Sequence, residues 1–76
     1  MADTLVTRLF LKILVNGENK EFSEQTTLEE LIQQLGVRKE TVVAEVNRQI
    51  VQLEKRQALK LVDGDQVELI QFVGGG

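Results

Sequence analysis

The sequence predicts an α+β fold in which a mixed β-sheet packs on one main α-helix. Three observations lead to this prediction: a hairpin pattern near the start, a capped amphipathic helix after it, and strand patterns through most of the second half. At 76 residues the chain has room for a single domain. We expect that domain to span residues 1–73, with 1–8 as an N-terminal extension, and to be followed by a flexible glycine tail at residues 74–76.

The first two strands are predicted by alternating apolar residues and a turn dipeptide. Alternation over "LFLKILV" places four apolar side chains on one face of a strand: Leu9, Leu11, Ile13 and Val15. Asn16 and Gly17 then supply the left-handed backbone angles that a tight hairpin needs. A second strand is expected to return through Lys20 to Phe22.

The segment "TTLEELIQQLG" predicts one amphipathic helix of about two to three turns. Thr27 and Glu30 have the spacing of a capping box, and Gly36 lies where a helix ends on a left-handed residue. The apolar positions follow the i, i+3, i+4, i+7 pattern of a core-facing side: Leu28, Leu31, Ile32 and Leu35.

The second half contains two further strand regions around an ambiguous segment. "TVVAEV" is short and rich in β-branched residues, and "RQIV" can continue or pair with it after a turn at Asn47 and Arg48. For Gln52 to Lys60 we expect no more than a connection. An Asp63-Gly64 turn then leads into a last strand from Gln66 to Val73.

The resulting order, β-β-α-β-β-connection-β, allows the last strand to lie beside the first, with one helix covering the apolar face of the sheet. This arrangement is the β-grasp, or ubiquitin-like, architecture. Such a scaffold hosts many unrelated functions, so the fold alone does not predict an activity.

The composition argues against an enzyme. Histidine and cysteine are absent and Ser23 is the only serine, so serine-histidine and cysteine-histidine catalytic arrangements are excluded. Two acidic residues around a turn glycine, Asp63 and Asp65, with Glu68 nearby, are too few ligands for a calcium loop. We therefore expect turn chemistry there, with no metal and no bound cofactor.

Charge and hydropathy argue against nucleic-acid and membrane binding. The net charge is -3, and no basic run provides the electrostatic surface of a nucleic-acid binder. The apolar stretch from Leu9 to Val15 is too short to span a bilayer and contains Lys12. We expect a cytoplasmic protein.

The last strand changes its apolar face halfway along. Val67 and Leu69 share one face with the polar Gln71, whereas Ile70 and Phe72 are apolar on the opposite face. If the first and last strands are neighbours, an exposed apolar patch beside the tail is expected to bind partners. The predicted residues are Phe10, Leu14, Ile70, Phe72 and Val73. The alternative is a β-bulge, or coverage of these residues by the N-terminal extension.

The order of motifs resembles the ThiS family, the sulfur carriers of thiamine biosynthesis. The resemblance covers about residues 9–76 and rests on "LKILVNGE", "TTLEELIQQLG", "VVAEVNRQIV" and "LVDGDQVELIQFVGGG". Its most specific part is the Asp-Gly-Asp turn, one strand and then a terminal diglycine. "MADTLVTR" precedes the point where such chains usually start their first strand. The resemblance therefore does not decide which face of the sheet binds partners.

The resemblance implies that Gly76 carries the sulfur. In the family, a ubiquitin-activating-like adenylyltransferase (ThiF type) uses ATP to adenylate the last glycine. Sulfur from a donor such as a cysteine desulfurase then gives a thiocarboxylate, which a thiazole synthase (ThiG type) consumes. Gly75 completes the recognised diglycine and Gly74 adds reach, while the carrier itself is expected to be a monomer.

Two alternatives remain open from the sequence. The molybdopterin-synthase small subunit and the ubiquitin-related modifiers share the fold and the diglycine, and would place the chain in another pathway. The other alternative is a plain interaction module whose glycines are incidental, as at many frayed termini.

Overall fold

The structure, a computed structural model, describes residues 10–72. Its strands and helix are β1 Phe10–Val15, β2 Glu18–Ser23, α1 Leu28–Gln34, β3 Val42–Val46, β4 Gln49–Ile50 and β5 Gln66–Gln71, with short 3₁₀ turns at Lys39–Thr41 and Leu53–Lys55. The strands form one sheet in the order β2-β1-β5-β3-β4. The β1–β5 pair is parallel and the other neighbours are antiparallel. The predicted β-grasp fold is therefore confirmed.

The β1–β2 hairpin forms as its sequence predicts. Asn16 and Gly17 have φ values of 49° and 84°, the left-handed angles that turn β1 back into β2. The inward side chains of β1 are buried: Leu11, Ile13 and Val15. Leu9, predicted to join them, lies outside the described residues, as does the N-terminal extension.

The helix begins and ends where its caps were predicted. The Thr27 hydroxyl accepts a hydrogen bond from the Glu30 amide at 3.1 Å, and the Glu30 carboxylate accepts one from the Thr27 amide at 3.0 Å. This reciprocal pair is a capping box. Gly36, with φ 75°, follows the last turn. No helix of the described residues is long and apolar enough to cross a membrane.

The hydrophobic core lies between α1 and one face of the sheet. Its buried members are Leu11, Ile13, Val15, Phe22, Leu28, Leu31, Ile32, Val42, Ala44, Leu61 and Val67. The predicted core residue Leu35 is only half-buried at the end of the helix, and it packs against this cluster. The opposite face of the sheet has no helix over it among the described residues.

The segment from Gln52 to Lys60, predicted only as a connection, contains a buried arginine. Arg56 is 5% exposed, and its guanidinium donates hydrogen bonds to main-chain carbonyls of Lys39 at 3.0 Å, Val42 at 2.8 Å and Val51 at 3.4 Å. These acceptors lie before β3, at its start and directly after β4. The Arg56 side chain therefore links the connection to both strands by hydrogen bonds. A buried arginine is costly unless its donors are satisfied, and here carbonyls satisfy them.

We predict that Arg56→Met lowers the free energy of unfolding by about 3 kcal/mol. The variant keeps most of the side-chain volume but removes charge-assisted hydrogen bonds and leaves carbonyls without their donor. Urea denaturation of both proteins measures the loss. The matched control is Arg38→Met, at an exposed arginine, which should change stability by less than about 0.5 kcal/mol. Equal losses in the two variants would contradict this role for Arg56.

Candidate functional site

Strand β5 leads from the core to the predicted carrier residues. It ends at Gln71, and the Phe72 amide continues the β3 pairing by donating to the Thr41 carbonyl at 3.0 Å. Val73, Gly74, Gly75 and Gly76 follow directly, and all four lie outside the described residues. The part of the candidate site that the structure describes is therefore strand β5 and its neighbours, which precede these four residues.

The Asp-Gly-Asp turn joins the start of β5 to β1. The Asp63 carboxylate accepts from the Lys12 amide at 2.7 Å, and the Gly64 amide donates to the Lys12 carbonyl at 2.9 Å. The Leu14 amide donates to the Asp65 carbonyl at 3.0 Å. These bonds support the predicted turn chemistry, and no group of three or more metal-ligating acidic side chains occurs in residues 10–72.

The buried carboxylate of Asp65 connects two turns, its own and the one between β3 and β4. It accepts from the Asn47 side-chain amide at 3.0 Å and from the Val62 main-chain amide at 2.8 Å. The Asn47 side-chain oxygen in turn accepts from the Gln66 amide at 3.0 Å. The turn between β3 and β4 is thereby attached to the start of β5, so β5 is held on both sides.

Asn16 extends the contact between β1 and β5 beyond the end of β1. Its main-chain amide donates to the Val67 carbonyl at 2.9 Å. Its side-chain oxygen accepts from the Leu69 amide at 2.8 Å, and its side-chain nitrogen donates to the Leu69 carbonyl at 3.4 Å. The side-chain amide therefore takes the place of the next peptide group of a longer β1. The sequence indicated Asn16 as a turn residue, and nothing in it signalled this second role.

The register of β1 and β5 contradicts the single apolar patch expected from the sequence. Phe10, Ile70 and Phe72 are exposed, at 58%, 52% and 49%. However, Leu14 pairs with Gln66 in a parallel register, so Phe10 lies four residues before that level and Ile70 four residues after it. At about 3.3 Å per residue, roughly 25 Å separates the two along the strands. Phe10 and the half-buried Leu14 are therefore not part of one surface with Ile70 and Phe72.

A smaller apolar cluster does lie beside the tail. Val43 is directly opposite Ile70 in the β3–β5 ladder, and Ile50 of β4 is a diagonal neighbour of Val43 on the same outer face. With Phe72 these residues form what we call the apolar cluster: Val43, Ile50, Ile70 and Phe72. Ile50, Ile70 and Phe72 are exposed and Val43 is half-buried, and Phe72 comes shortly before the predicted carrier residues in the sequence.

The change of apolar face along β5 is not caused by a bulge. The β3–β5 register is continuous from Val42 opposite Gln71 to Val46 opposite Val67. Gln71 lies on the inner face opposite the buried Val42, yet it is exposed at the end of the strand. The other explanation, coverage by the N-terminal extension, concerns residues outside the described ones.

Comparison with known proteins places the chain among sulfur carriers. The model of the ThiS family matches residues 13–76. The sulfur carrier protein ThiS of Escherichia coli is 33% identical over 66 residues, which cover 87% of this chain and all of that protein. A crystal structure of the thiamine biosynthesis protein ThiS from Geobacter metallireducens has a TM-score of 0.75 and 33% identity, and the match covers 87% of this chain and 100% of the other.

The chain is also similar to part of a larger enzyme. A thiazole synthase of Paramagnetospirillum magneticum is 38% identical over 66 residues, which cover 87% of this chain. The chain spans 20% of the length of that synthase and of a second one, from Magnetococcus marinus. In both proteins, a region like this chain is therefore part of a polypeptide named as a thiazole synthase.

We predict that Asn16→Gly lowers the free energy of unfolding by about 1 kcal/mol and speeds amide exchange selectively at Leu69. Glycine accepts the positive φ of this position, so the variant removes the side-chain hydrogen bonds without adding backbone strain. Urea denaturation and hydrogen exchange measure the two effects. The internal control is the amide of Val67, which lies in the regular parallel pairing of β1 with β5. Unchanged exchange at Leu69 would show that the side-chain bonds do not form in solution.

Proposed function

The chain belongs to the ThiS family, the sulfur carriers of thiamine biosynthesis, and we propose that the main-chain carboxylate of Gly76 is the group that carries the sulfur. The observation that supports this proposal is the family match, which runs through Gly76. Strand β5 supports it further, because it leads to the tail within a few residues of the core. On this proposal the folded domain positions and presents the tail and performs no catalysis itself.

The proposed chemistry needs no side chain from this protein. An α-carboxyl group is ionised near neutral pH and is able to attack the α-phosphorus of ATP, which releases pyrophosphate and leaves an acyl adenylate. A persulfide of the sulfur donor then displaces AMP to give an acyl disulfide. A thiol of a partner protein attacks this disulfide, which releases the thiocarboxylate and leaves a new disulfide on the thiol. ATP is bound by the activating enzyme, so the carrier needs no cofactor of its own.

The glycines suit a carboxylate that enters the active sites of other proteins. Fully extended, residues 73–76 span on the order of 10–14 Å, at about 3.3–3.6 Å per residue. A run without Cβ atoms passes through a channel too narrow for side chains. We propose that Gly75 and Gly76 are recognised by the partner enzymes and that Gly74 adds reach.

The proposed partners are an adenylyltransferase of the ThiF type, a cysteine desulfurase and a thiazole synthase of the ThiG type. The last is supported by the two synthases whose polypeptides include a region like this chain. We propose that the carrier meets these enzymes in the cytoplasm, as a monomer, through its apolar cluster. Exposed apolar residues at the base of the tail would dock the domain outside an active site while the tail lies inside it.

We predict that incubation with the activating enzyme, ATP and a sulfur source raises the intact mass by the difference between one sulfur and one oxygen atom. Deletion of Gly75 and Gly76, or conversion of the Gly76 carboxylate to an amide, should abolish the gain because the diglycine or the reacting carboxylate is lost. Mass spectrometry of the intact protein measures it. Phe10→Ala, at an exposed residue near the far end of β1, is the control and should react almost as the wild type does. A mass gain that survives conversion to the amide would refute the proposal.

We predict that the double variant Ile70→Ala, Phe72→Ala binds the activating enzyme about tenfold more weakly, because it truncates two side chains of the apolar cluster. Phe10→Ala is the control, since Phe10 is just as exposed but lies near the far end of β1. Isothermal titration calorimetry gives both affinities, and thermal melting verifies the folds. If Phe10→Ala weakens binding as much, the docking surface is not the apolar cluster.

A further inference from the structure

The main-chain hydrogen bonds of β5 alternate between its two neighbours. The Asn47 amide donates to the Gln66 carbonyl at 2.8 Å, and the Phe72 amide donates to the Thr41 carbonyl at 3.0 Å. In a regular antiparallel ladder, this pattern directs residues 66, 68, 70 and 72 toward β3. Residues 67, 69 and 71 therefore direct their N–H and C=O groups toward β1.

The last of these positions, Gln71, has no neighbour on that side. Val67 is held by the main chain of β1 and Leu69 by the side chain of Asn16. Strand β1 ends at Val15, so the ladder ends at Val67, and the side chain of Asn16 extends the pairing only as far as Leu69. Within residues 10–72, no group accepts from the Gln71 amide or donates to its carbonyl on this edge. An unpaired edge of this kind is a template for pairing with another chain.

This edge differs from the two outer edges of the sheet. Strand β2 carries three charged residues, Glu18, Lys20 and Glu21, which discourage pairing at its edge. Strand β4 is only two residues long. The edge at Gln71 has neither protection, and its own side chain is exposed rather than packed in the core. It is also the edge that continues into the tail.

We propose that an extended segment of the thiazole-synthase partner adds to this edge as a strand and hydrogen-bonds to the main chain of Gln71. The inference rests on the proposed function and deepens it by naming how the partner holds the carrier. The added strand follows the course of β1 beyond its end and pairs with the N–H and C=O groups of Gln71. Strand addition recognises main-chain groups, so it does not depend on the side chain at this position. The two synthases that include a region like this chain support this choice of partner.

The test compares Gln71→Pro with Gln71→Ala. Proline removes the N–H on the open edge, a position where a strand tolerates it because the β3 ladder does not use that group. Alanine removes the side chain and keeps the N–H. With the thiazole synthase of the same organism, we expect Gln71→Pro to bind roughly tenfold more weakly and Gln71→Ala to bind within about threefold of wild type. Thermal melting shows whether each variant is folded.

Hydrogen exchange provides a readout that does not depend on the proline variant folding. In the free wild-type protein the Gln71 amide should exchange quickly, whereas Leu69, bonded to Asn16, exchanges more slowly. In the complex, we expect the Gln71 amide to be protected at least about tenfold.

Three outcomes overturn the inference. If the wild type binds but the Gln71 amide is not protected, strand addition is rejected. An equal loss of affinity in the proline and alanine variants also rejects it. Neither result contradicts the carrier function. Absence of wild-type binding rejects the synthase as the partner. Carrier function itself is judged separately, by the mass gain at the terminus, so its failure is distinguishable from failure of the strand-addition model.

Discussion

The structure depends on the parallel pairing of β1 with β5. These strands come from opposite ends of the chain, and the hydrogen bonds between Asn16 and Leu69 connect residues 53 positions apart. Closing so long a loop costs conformational entropy before any contact compensates for it. Yet the regular ladder has only two paired positions, Leu14 with Gln66 and Val15 with Val67. Polar groups lengthen the junction at both ends, with the Asp63 carboxylate on one side and the Asn16 amide on the other.

This register determines how far β5 runs past the end of β1, in the direction of the predicted carrier residues. Strand β5 runs past the end of β1, so its last residues pair with β3 alone. A helix of seven residues is about 10 Å long, whereas a strand of six residues is about 20 Å long. One short helix therefore cannot cover the whole inner face of β5. Gln71, the last residue of β5, is exposed on this face, although Val42 opposite it is buried.

Most of the fold was predictable because its signals are local. The Asn16-Gly17 turn and the Thr27 capping box act within a few residues, and alternation identifies the buried face of β1 directly. Arg56 was missed because its acceptors are carbonyls of distant segments, which leave no trace in sequence spacing. The single apolar patch was wrong for a related reason: alternation predicts which face a residue occupies, but only strand register determines how far apart Phe10 and Ile70 lie.

The same arrangement separates the groups that stabilise the fold from those available for binding. The core side chains lie between α1 and the inner face, and Arg56 is buried within the connection, where it bonds to the start of β3. The apolar cluster lies on the outer face, and the open edge of Gln71 lies beyond the junction. A partner that binds the outer face or this edge breaks none of the hydrogen bonds that hold β5. That junction is made largely by main-chain groups and short polar side chains, and it fixes the course of β5 beside β1.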